Sequence, residues 1–245
     1  MKRARAGVTL IEVLIAISLL SLLSVGILMA LRVGVNALDK ANRKLMDNRR
    51  EAGAQRILEQ QLAGFIPVIA LAGQSPDDNG APVPFFEGRA QSMRFVSSYS
   101  LGEAWRGLPQ ILEFQVIPGA QGQGVRLVVN EHVYTGPRSA GFFCLGPGPD
   151  PEAGGVSTQR FLPIQVGPRS FVLADRLAFC RFSYLEQVPG TELPDWRPIA
   201  VTPKWPLGIR VAMAPLDTVS SHLKPISVTA AVHVDRYPIF DYGDF

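Results

Sequence analysis

The chain has 245 residues, of which 47% are hydrophobic and 18% are charged, so it can bury a core, and this composition excludes wholesale disorder. Three of its 24 basic residues, Lys2, Arg3 and Arg5, precede Gly7, and the other 21 balance the 21 acidic residues. The net charge of +3 therefore belongs to a short leader, which argues against a nucleic-acid-binding face.

An apolar run over residues 8–31 follows the leader, and Glu12 carries its single charge. About 20 apolar residues span the hydrocarbon core of a bilayer. A cleaved secretory signal has a shorter apolar core followed by a small-residue cleavage site, and no such site precedes Arg32. The sequence therefore predicts a retained transmembrane helix over 8–31.

The flanking charges leave the orientation of this helix open. The leader, residues 1–7, is basic and favours a cytoplasmic N-terminus. Basic residues just past the span favour the reverse: Arg32, Lys40, Arg43, Lys44, Arg49 and Arg50. The positive-inside rule weakens for long translocated domains, so charge alone does not decide between the two.

Proline placement divides the chain, because all 20 prolines lie at or after Pro67. Proline costs roughly 3 kcal/mol in a helix interior, so residues 32–66 are predicted to continue the membrane helix, with Gly64 and Pro67 as stop signals. Apolar residues recur there with helical spacing and predict one stripe that packs on a head: Leu31, Leu38, Leu45, Ala52, Ile57, Leu58, Leu62 and Phe65.

Residues 67–245 are predicted to form a β-rich head. Seven segments rich in Val, Ile, Phe and Tyr are separated by Pro and Gly clusters and are typical of strands: 93–97, 111–117, 125–130, 171–173, 177–185, 207–213 and 227–234. The composition of 145–155 predicts a loop. The predicted fold class is therefore α+β, with a long N-terminal helix whose outer half packs on an antiparallel sheet.

Small residues in the apolar run indicate a second helix-packing feature. Gly26, Ala30 and Gly34 recur at every fourth position, and this spacing lets two membrane helices approach closely. The alternative is that they reflect only the general richness of membrane helices in small residues.

The two cysteines, Cys144 and Cys180, also have two interpretations. In an oxidising compartment they could form a disulfide. The alternative is a pair of unpaired thiols packed in the core.

No catalytic signature is present in the sequence: G-x-S-x-G, the P-loop, H-E-x-x-H and G-x-G-x-x-G are all absent. The histidines, His132, His222 and His233, are scattered and have no neighbours at metal-ligand spacing. We therefore expect no cofactor, no metal and no enzymatic activity. The run 77–79 (D-D-N) has the residue types of a calcium loop, but a solvated turn is the preferred interpretation.

Glu12 requires an explanation, because an ionisable group in a membrane segment is by default functional and needs a partner. The alternative is an interfacial carboxylate near the headgroups. The run 5–16, R-A-G-V-T-L-I-E-V-L-I-A, resembles the class III signal of type IV pilins and type II secretion pseudopilins.

This resemblance implies that a membrane prepilin peptidase cuts between Gly7 and Val8 and N-methylates Val8. Glu12 then becomes the fifth mature residue, and its carboxylate would pair during assembly with the terminal ammonium of a neighbouring subunit. The resemblance also implies a single-pass protein of the bacterial inner membrane, with its leader in the cytoplasm and its head in the periplasm.

Parts of the head resemble the J-type minor pseudopilin: 177–185 (L-A-F-C-R-F-S-Y-L), Asp195-Trp196 and 205–211 (W-P-L-G-I-R-V), together with the helix segment 56–62. The resemblance implies a structural subunit that joins I- and K-type subunits in the tip complex of the pseudopilus. Its other partners would be the major pseudopilins, the prepilin peptidase and the inner-membrane secretion platform. Two alternatives stay open: a minor pilin of a type IV pilus or DNA-uptake system, and a binding or enzymatic ectodomain on an uncleaved signal anchor.

Overall fold

The computed structural model describes residues 9–72, 81–102, 106–187, 190, 193–201, 204–216 and 225–232, with the side chains at 43, 44, 47–51 and 106 left aside. The chain divides into two compact units, Met1–Arg49 and Arg50–Phe245. One helix, α1 (Leu10–Ala63, 54 residues), contributes to both of them.

The helix α1 ends close to its predicted stop. The Gly64 amide still donates to the carbonyl of Gln60 at 2.9 Å, but a Cβ at Gly64 would lie 2.6 Å from the ring of Tyr99. Glycine is therefore needed for the close approach between the helix end and the sheet. The next two residues already pair with the sheet, so the β-structure begins before the predicted boundary at 67.

In the described part of the head, thirteen strands and one short α-helix follow, together with a 3-10 turn at Ala120–Gly122. In chain order they are β1 (Phe65–Ile66), β2 (Ile69–Ala72), β3 (Ala81–Pro84), β4 (Glu87–Gly88), β5 (Ser92–Tyr99), β6 (Arg106–Pro118), β7 (Val125–Val133), α2 (Pro137–Gly141), β8 (Cys144–Pro149), β9 (Ser157–Phe161), β10 (Phe171–Glu186), β11 (Asp195–Arg197), β12 (Gly208–Pro215) and β13 (Ile226–Ala231). The main sheet has the order β1-β5-β6-β7-β10-β12-β13, with β4 beside β5 and β11 beside β10. All of these pairings are antiparallel, which confirms the predicted α+β layout of a long apolar helix followed by an antiparallel sheet, as in the type IV pilin-like fold.

One face of the main sheet packs on the last turns of α1. Ala54, Leu58 and Leu62 of the helix are buried against alternate residues of the central strands: Phe95, Leu112, Phe114, Leu127, Val129, Phe182, Ile209 and Val211. Alternation with period 2 along each strand places these side chains on one face. This face holds the larger core of the head.

The predicted apolar stripe of the helix is therefore only partly correct. Leu58 and Leu62 are buried, and Ala54 rather than the exposed Ala52 precedes them. Leu31, Leu38 and Leu45 are exposed in the isolated chain. Packing on the sheet begins only where the helix reaches the head, and spacing along the helix does not reveal that point.

The opposite face of β5 and β6 is covered by a second layer. The hairpin β2–β3, the hairpin β8–β9 and α2 bury a smaller cluster against Val96 and Ile111. The prediction of a loop over 145–155 is wrong for its first half, because β8 runs to Pro149. A two-stranded hairpin tolerates Pro and Gly at positions that do not need an amide donor. The high Pro and Gly content therefore predicted a loop where the structure has a strand.

All seven predicted strand segments overlap strands of the main sheet, but Leu207 precedes β12 and Val232 follows β13. Residues 233 and 234 of the last segment lie outside the described part. Segments 171–173 and 177–185 form one strand, β10, with two register shifts against β7. Arg176 adopts a left-handed backbone with φ 55° at this irregularity. A bulge re-aims the following residues of a strand, which explains why the sequence pattern showed two segments.

Gly141 provides a test of the second layer. A Cβ at this position would overlap the carbonyl oxygen of Leu71 in β2, and a backbone atom cannot move aside as a flexible side chain can. We expect Gly141→Ala to lower the free energy of unfolding by about 1–3 kcal/mol, as overpacking does. Urea unfolding of the full chain in neutral detergent measures this change. Gly167→Ala serves as the control, because a Cβ at Gly167 would meet nothing within 4 Å and its backbone is not left-handed. Equal losses in the two variants would contradict the overlap.

Candidate functional site

The first part of α1 is the strongest candidate for a functional surface. The stretch Leu10–Asn42 is long and apolar enough to cross a membrane, and none of its most apolar window is buried. Its hydroxyl groups are satisfied within the helix, since Ser18, Ser21 and Ser24 each donate at 2.8 Å to a carbonyl one turn earlier. Internal satisfaction of polar groups is what a lipid environment requires.

Glu12 lies in the first turn of this helix. The amides of Glu12 and Val13 donate to the carbonyl of Thr9 at 3.1 and 3.3 Å, so the helix begins directly before the carboxylate. A carboxylate at this position is favoured by the helix dipole. The described residues give Glu12 no ion-pair partner, so the charge is available for a partner from another molecule.

Glu12 and the predicted packing residues share one face of the helix. Eighteen residues make five turns of an α-helix, so Ala30 lies directly along the axis from Glu12, and Gly26 and Gly34 lie on either side of that line. Added Cβ atoms at Gly26 and Gly34 would meet nothing within 4 Å. Nothing within the described chain therefore requires glycine there.

The same face carries three further small residues that sequence analysis did not identify. Ala16, Ala37 and Ala41 fall within 40° of the Glu12 direction at 100° per residue. The helical projection around Glu12 would have revealed them, whereas a search for four-residue spacing alone did not. Small residues thus recur on the Glu12 face, although Leu19 and Leu23 lie on the same face between Ala16 and Gly26. The three serines occupy the other half of the circumference.

Gly7 and Val8, the predicted cleavage and methylation residues, lie outside the described residues. The same holds for the acidic run 77–79, His222 and His233. Among the described residues, no group of three or more His, Cys, Asp or Glu side chains is arranged to hold a metal ion.

The second candidate is a charged cluster in the head, which sequence analysis did not predict. Arg94 on β5 is fully buried. Its Nη1 donates to Glu87 at 2.6 Å, its Nε donates to Glu113 at 2.8 Å and its Nη2 donates to the Leu162 carbonyl at 2.7 Å. Each of the three guanidinium nitrogens therefore donates a hydrogen bond within the head, as a buried cation requires.

The carboxylates around Arg94 respond differently to burial. Desolvation raises the pKa of Glu87 even though Arg94 and Arg89 oppose it. Desolvation also acts on Glu113, but hydrogen bonds from Asn130 and the charge of Arg94 hold its pKa below the usual range. The His132 ring lies 3.2 Å from the second oxygen of Glu113, which completes the set of partners of that carboxylate.

Arg89 extends the cluster to the β8–β9 hairpin. Its guanidinium contacts Asp150 at 2.8 Å and Glu152 at 2.8 Å, and hydrogen bonds from Arg89 and other donors outweigh burial and lower the pKa of Asp150. A cavity of about 280 Å³ adjoins this pair. Because Arg89 contacts both Glu87 and Asp150, the cluster fastens the second layer to the main sheet.

The two cysteines lie in different core clusters. Cys180 belongs to the face packed on α1, whereas Cys144 belongs to the second layer. Both are free and buried, so the possible Cys144–Cys180 disulfide is not formed and the alternative of two core thiols describes the structure. Burial raises the pKa of both thiols to about 12, which keeps them protonated and unreactive.

Comparison with known proteins identifies the N-terminal segment. Residues 2–28 match the family described as the prokaryotic N-terminal methylation motif. The matched segment contains Gly7, Val8 and Glu12, and it supports a type IV pilin-like or pseudopilin protein that is a substrate of a prepilin peptidase. No curated protein matches the chain.

Proposed function

We propose that this chain is a minor pseudopilin of a type II secretion system, a non-enzymatic subunit that assembles into the pseudopilus and supports protein export. The observation that carries the proposal is the methylation motif over residues 2–28, which contains a first-turn carboxylate on an apolar helix. The large head favours a minor subunit. The J-type assignment rests on the resemblance of 177–185, Asp195-Trp196 and 205–211, which lie on the neighbouring strands β10, β11 and β12 or directly before β12.

The assembly step follows from electrostatics in lipid. Cleavage after Gly7 would leave an α-ammonium on Val8, and the Glu12 carboxylate of an adjacent subunit would neutralise it. An unpaired carboxylate at mid-membrane costs roughly 2.5 to 3.5 kcal/mol on insertion scales, and less near the interface. Pairing would recover part of this cost and would fix the axial register between subunits, while the small-residue face would let the helices approach closely.

The proposed location is the bacterial inner membrane, with residues 1–7 in the cytoplasm before cleavage and the head in the periplasm. I- and K-type subunits would be the partners at the tip.

A minor pilin of a type IV pilus or DNA-uptake system would use the same N-terminal chemistry. Neighbouring secretion genes or neighbouring twitching genes would distinguish these two functions. A signal-anchored binding ectodomain would differ from both, because its leader would stay attached.

The intact mass of the protein extracted from its native inner membrane tests the proposal. We expect the loss of residues 1–7 and the addition of one methyl group, because the motif places the scissile bond after Gly7. The same extraction from cells lacking the peptidase is the control and should give the full-length mass. A full-length mass from wild-type cells would overturn the assembly function and return Glu12 to an interfacial role.

A further inference from the structure

The second layer covers only part of the outer face of the main sheet. The hairpins and α2 bury residues of β5 and β6, and Leu162 and Gln165 accept hydrogen bonds from Arg94 and Asn130 on β5 and β7. Over β12 and β13 and the adjoining half of β10, the described residues form no such layer apart from the Trp196 side chain, which lies over Gly208 and Arg210. The outer face there presents Arg181, Ser183, Arg210, Ala212 and Thr229, which pair across the three strands, and we call it the arginine face.

The two arginines of this face are held by aromatic rings rather than by carboxylates. Arg210 lies 3.9 Å from the centre of the Trp196 ring, and Arg181 lies 5.8 Å from that of Phe179. The described residues provide neither guanidinium with an ion pair. Stacking restricts both side chains and leaves their hydrogen-bond donors available.

Three other arginines of the head form ion pairs within the chain. Arg94 bonds to two glutamates, Arg89 bonds to Asp150 and Glu152, and Arg126 bonds to Asp175 at 3.0 Å. Arg181 and Arg210 have no such carboxylate among the described residues. Within the described part of the chain, no carboxylate pairs with the arginine face, so its positive charge is available to a partner.

The register of the strands sets the spacing of this charge. Arg181 pairs with Ala212, and Ser183 pairs with Arg210, so the two arginines are diagonal neighbours about 7–8 Å apart. Carboxylates at alternate positions of an extended chain are separated by about 7 Å. Ser183, Ala212 and Thr229 are small, so a second backbone can lie close to the sheet between the two guanidinium groups.

We propose that the arginine face docks an extended acidic segment of a partner protein, with carboxylates at alternating positions on Arg181 and Arg210. The flat shape of the face suits a protein segment better than a small molecule, which prefers a concave site. This inference deepens the proposed assembly function by assigning a contact surface on the head, but the docking itself does not depend on N-terminal processing.

Binding of a labelled, capped octapeptide of alternating threonine and glutamate to the full chain in neutral detergent tests the docking. We expect the double variant Arg181→Ala/Arg210→Ala to bind about tenfold more weakly, since two exposed charge contacts contribute roughly 1.4 kcal/mol together. Arg126→Ala removes one charge elsewhere on the head and should bind as wild type. An octapeptide with its four glutamates at one end should bind less well than the alternating one.

Ser183→Glu separates docking from misfolding. This residue lies directly opposite Arg210 and two positions from Arg181 on the same face, so an added carboxylate would neutralise the pair from within the chain. We expect weaker peptide binding together with a higher melting temperature, whereas Gln123→Glu on an exposed turn should change neither. Unchanged binding in Ser183→Glu, equal binding of both octapeptides, or displacement of the peptide by millimolar inorganic phosphate would overturn the proposal. None of these results bears on leader cleavage, which the intact mass reports independently.

Discussion

Replacing Glu12 with alanine is expected to lower co-assembly of the chain with other pilin-like subunits at least tenfold while leaving membrane insertion intact. The carboxylate begins a helix that gives it no ion-pair partner among the described residues. If pairing with a neighbouring ammonium recovers even half of the roughly 2.5 to 3.5 kcal/mol insertion cost, its loss corresponds to about a factor of ten. Alanine itself inserts more easily than glutamate, so the anchor should be retained.

The measurement is co-purification of candidate partner subunits after cross-linking in native membranes. Glu12→Gln keeps the size of the side chain and removes its charge, so it should fail like Glu12→Ala if the ion pair matters. Ser21→Ala changes the opposite side of the helix, where the hydroxyl bonds only to the Ile17 carbonyl, and should assemble normally. Wild-type recovery of partners by Glu12→Ala would refute the pairing. A uniform loss in all three variants would instead point to a general defect of the helix.

The sequence predicted those parts of the fold that carry a strong local pattern. The absence of proline before Pro67 predicted α1, and dense β-branched and aromatic runs predicted the central strands. The strands β1 and β4 have only two residues each, which is too short for any periodicity. Such strands form only because β5 offers an edge, and that is a property of the folded sheet rather than of a local segment.

The candidate sites also divide into one that the sequence pattern reveals and others that depend on the folded sheet. The position of Glu12 is visible in the sequence because it interrupts an apolar run, and its alignment with Ala30 follows from helix geometry alone. The arginine face required the register of three strands that are distant in sequence. In the sequence, Arg181 and Arg210 are single arginines in two separate strand patterns. Their diagonal spacing follows only from the pairing of β10 with β12.

The buried cluster around Arg94 was likewise invisible, because an arginine between Met93 and Phe95 carries no sequence signal of burial. Its partners, Glu87 and Glu113, come from strands on either side of β5. Cross-strand pairing fixes these neighbours, and pairing depends on register. A buried cation of this kind ties the two layers of the head together at a point where sequence periodicity predicts only a strand.

Replacing Arg94 with alanine is therefore expected to lower the free energy of unfolding of the head by about 3–5 kcal/mol, because it would leave two buried carboxylates without their cation. Tryptophan fluorescence during urea unfolding of the full chain in neutral detergent measures this loss. Arg126→Ala breaks the more exposed pair with Asp175 and should cost less than about 1 kcal/mol. Arg94→Met combined with Glu87→Gln and Glu113→Gln should recover most of the stability, since it removes the uncompensated charges.

The pH dependence of Arg94→Ala distinguishes lost charge compensation from lost packing. In the wild type the lowered pKa values of Glu113 and Asp150 contribute stability above their unfolded pKa of about 4, and this stability is lost as the pH falls through the folded values. The pKa of Glu87 is already raised by burial in the wild type. Without Arg94, burial and mutual repulsion would raise it further and would lift the pKa of Glu113 above its unfolded value. The stability that comes from carboxyl groups with raised pKa values is complete in acid and is lost as the pH rises. The free energy of unfolding of the variant should therefore fall further below that of the wild type between about pH 4 and pH 8. A deficit that is the same at both ends of this range would show that Arg94 acts through packing against Phe143 and Phe161, and not through its charge.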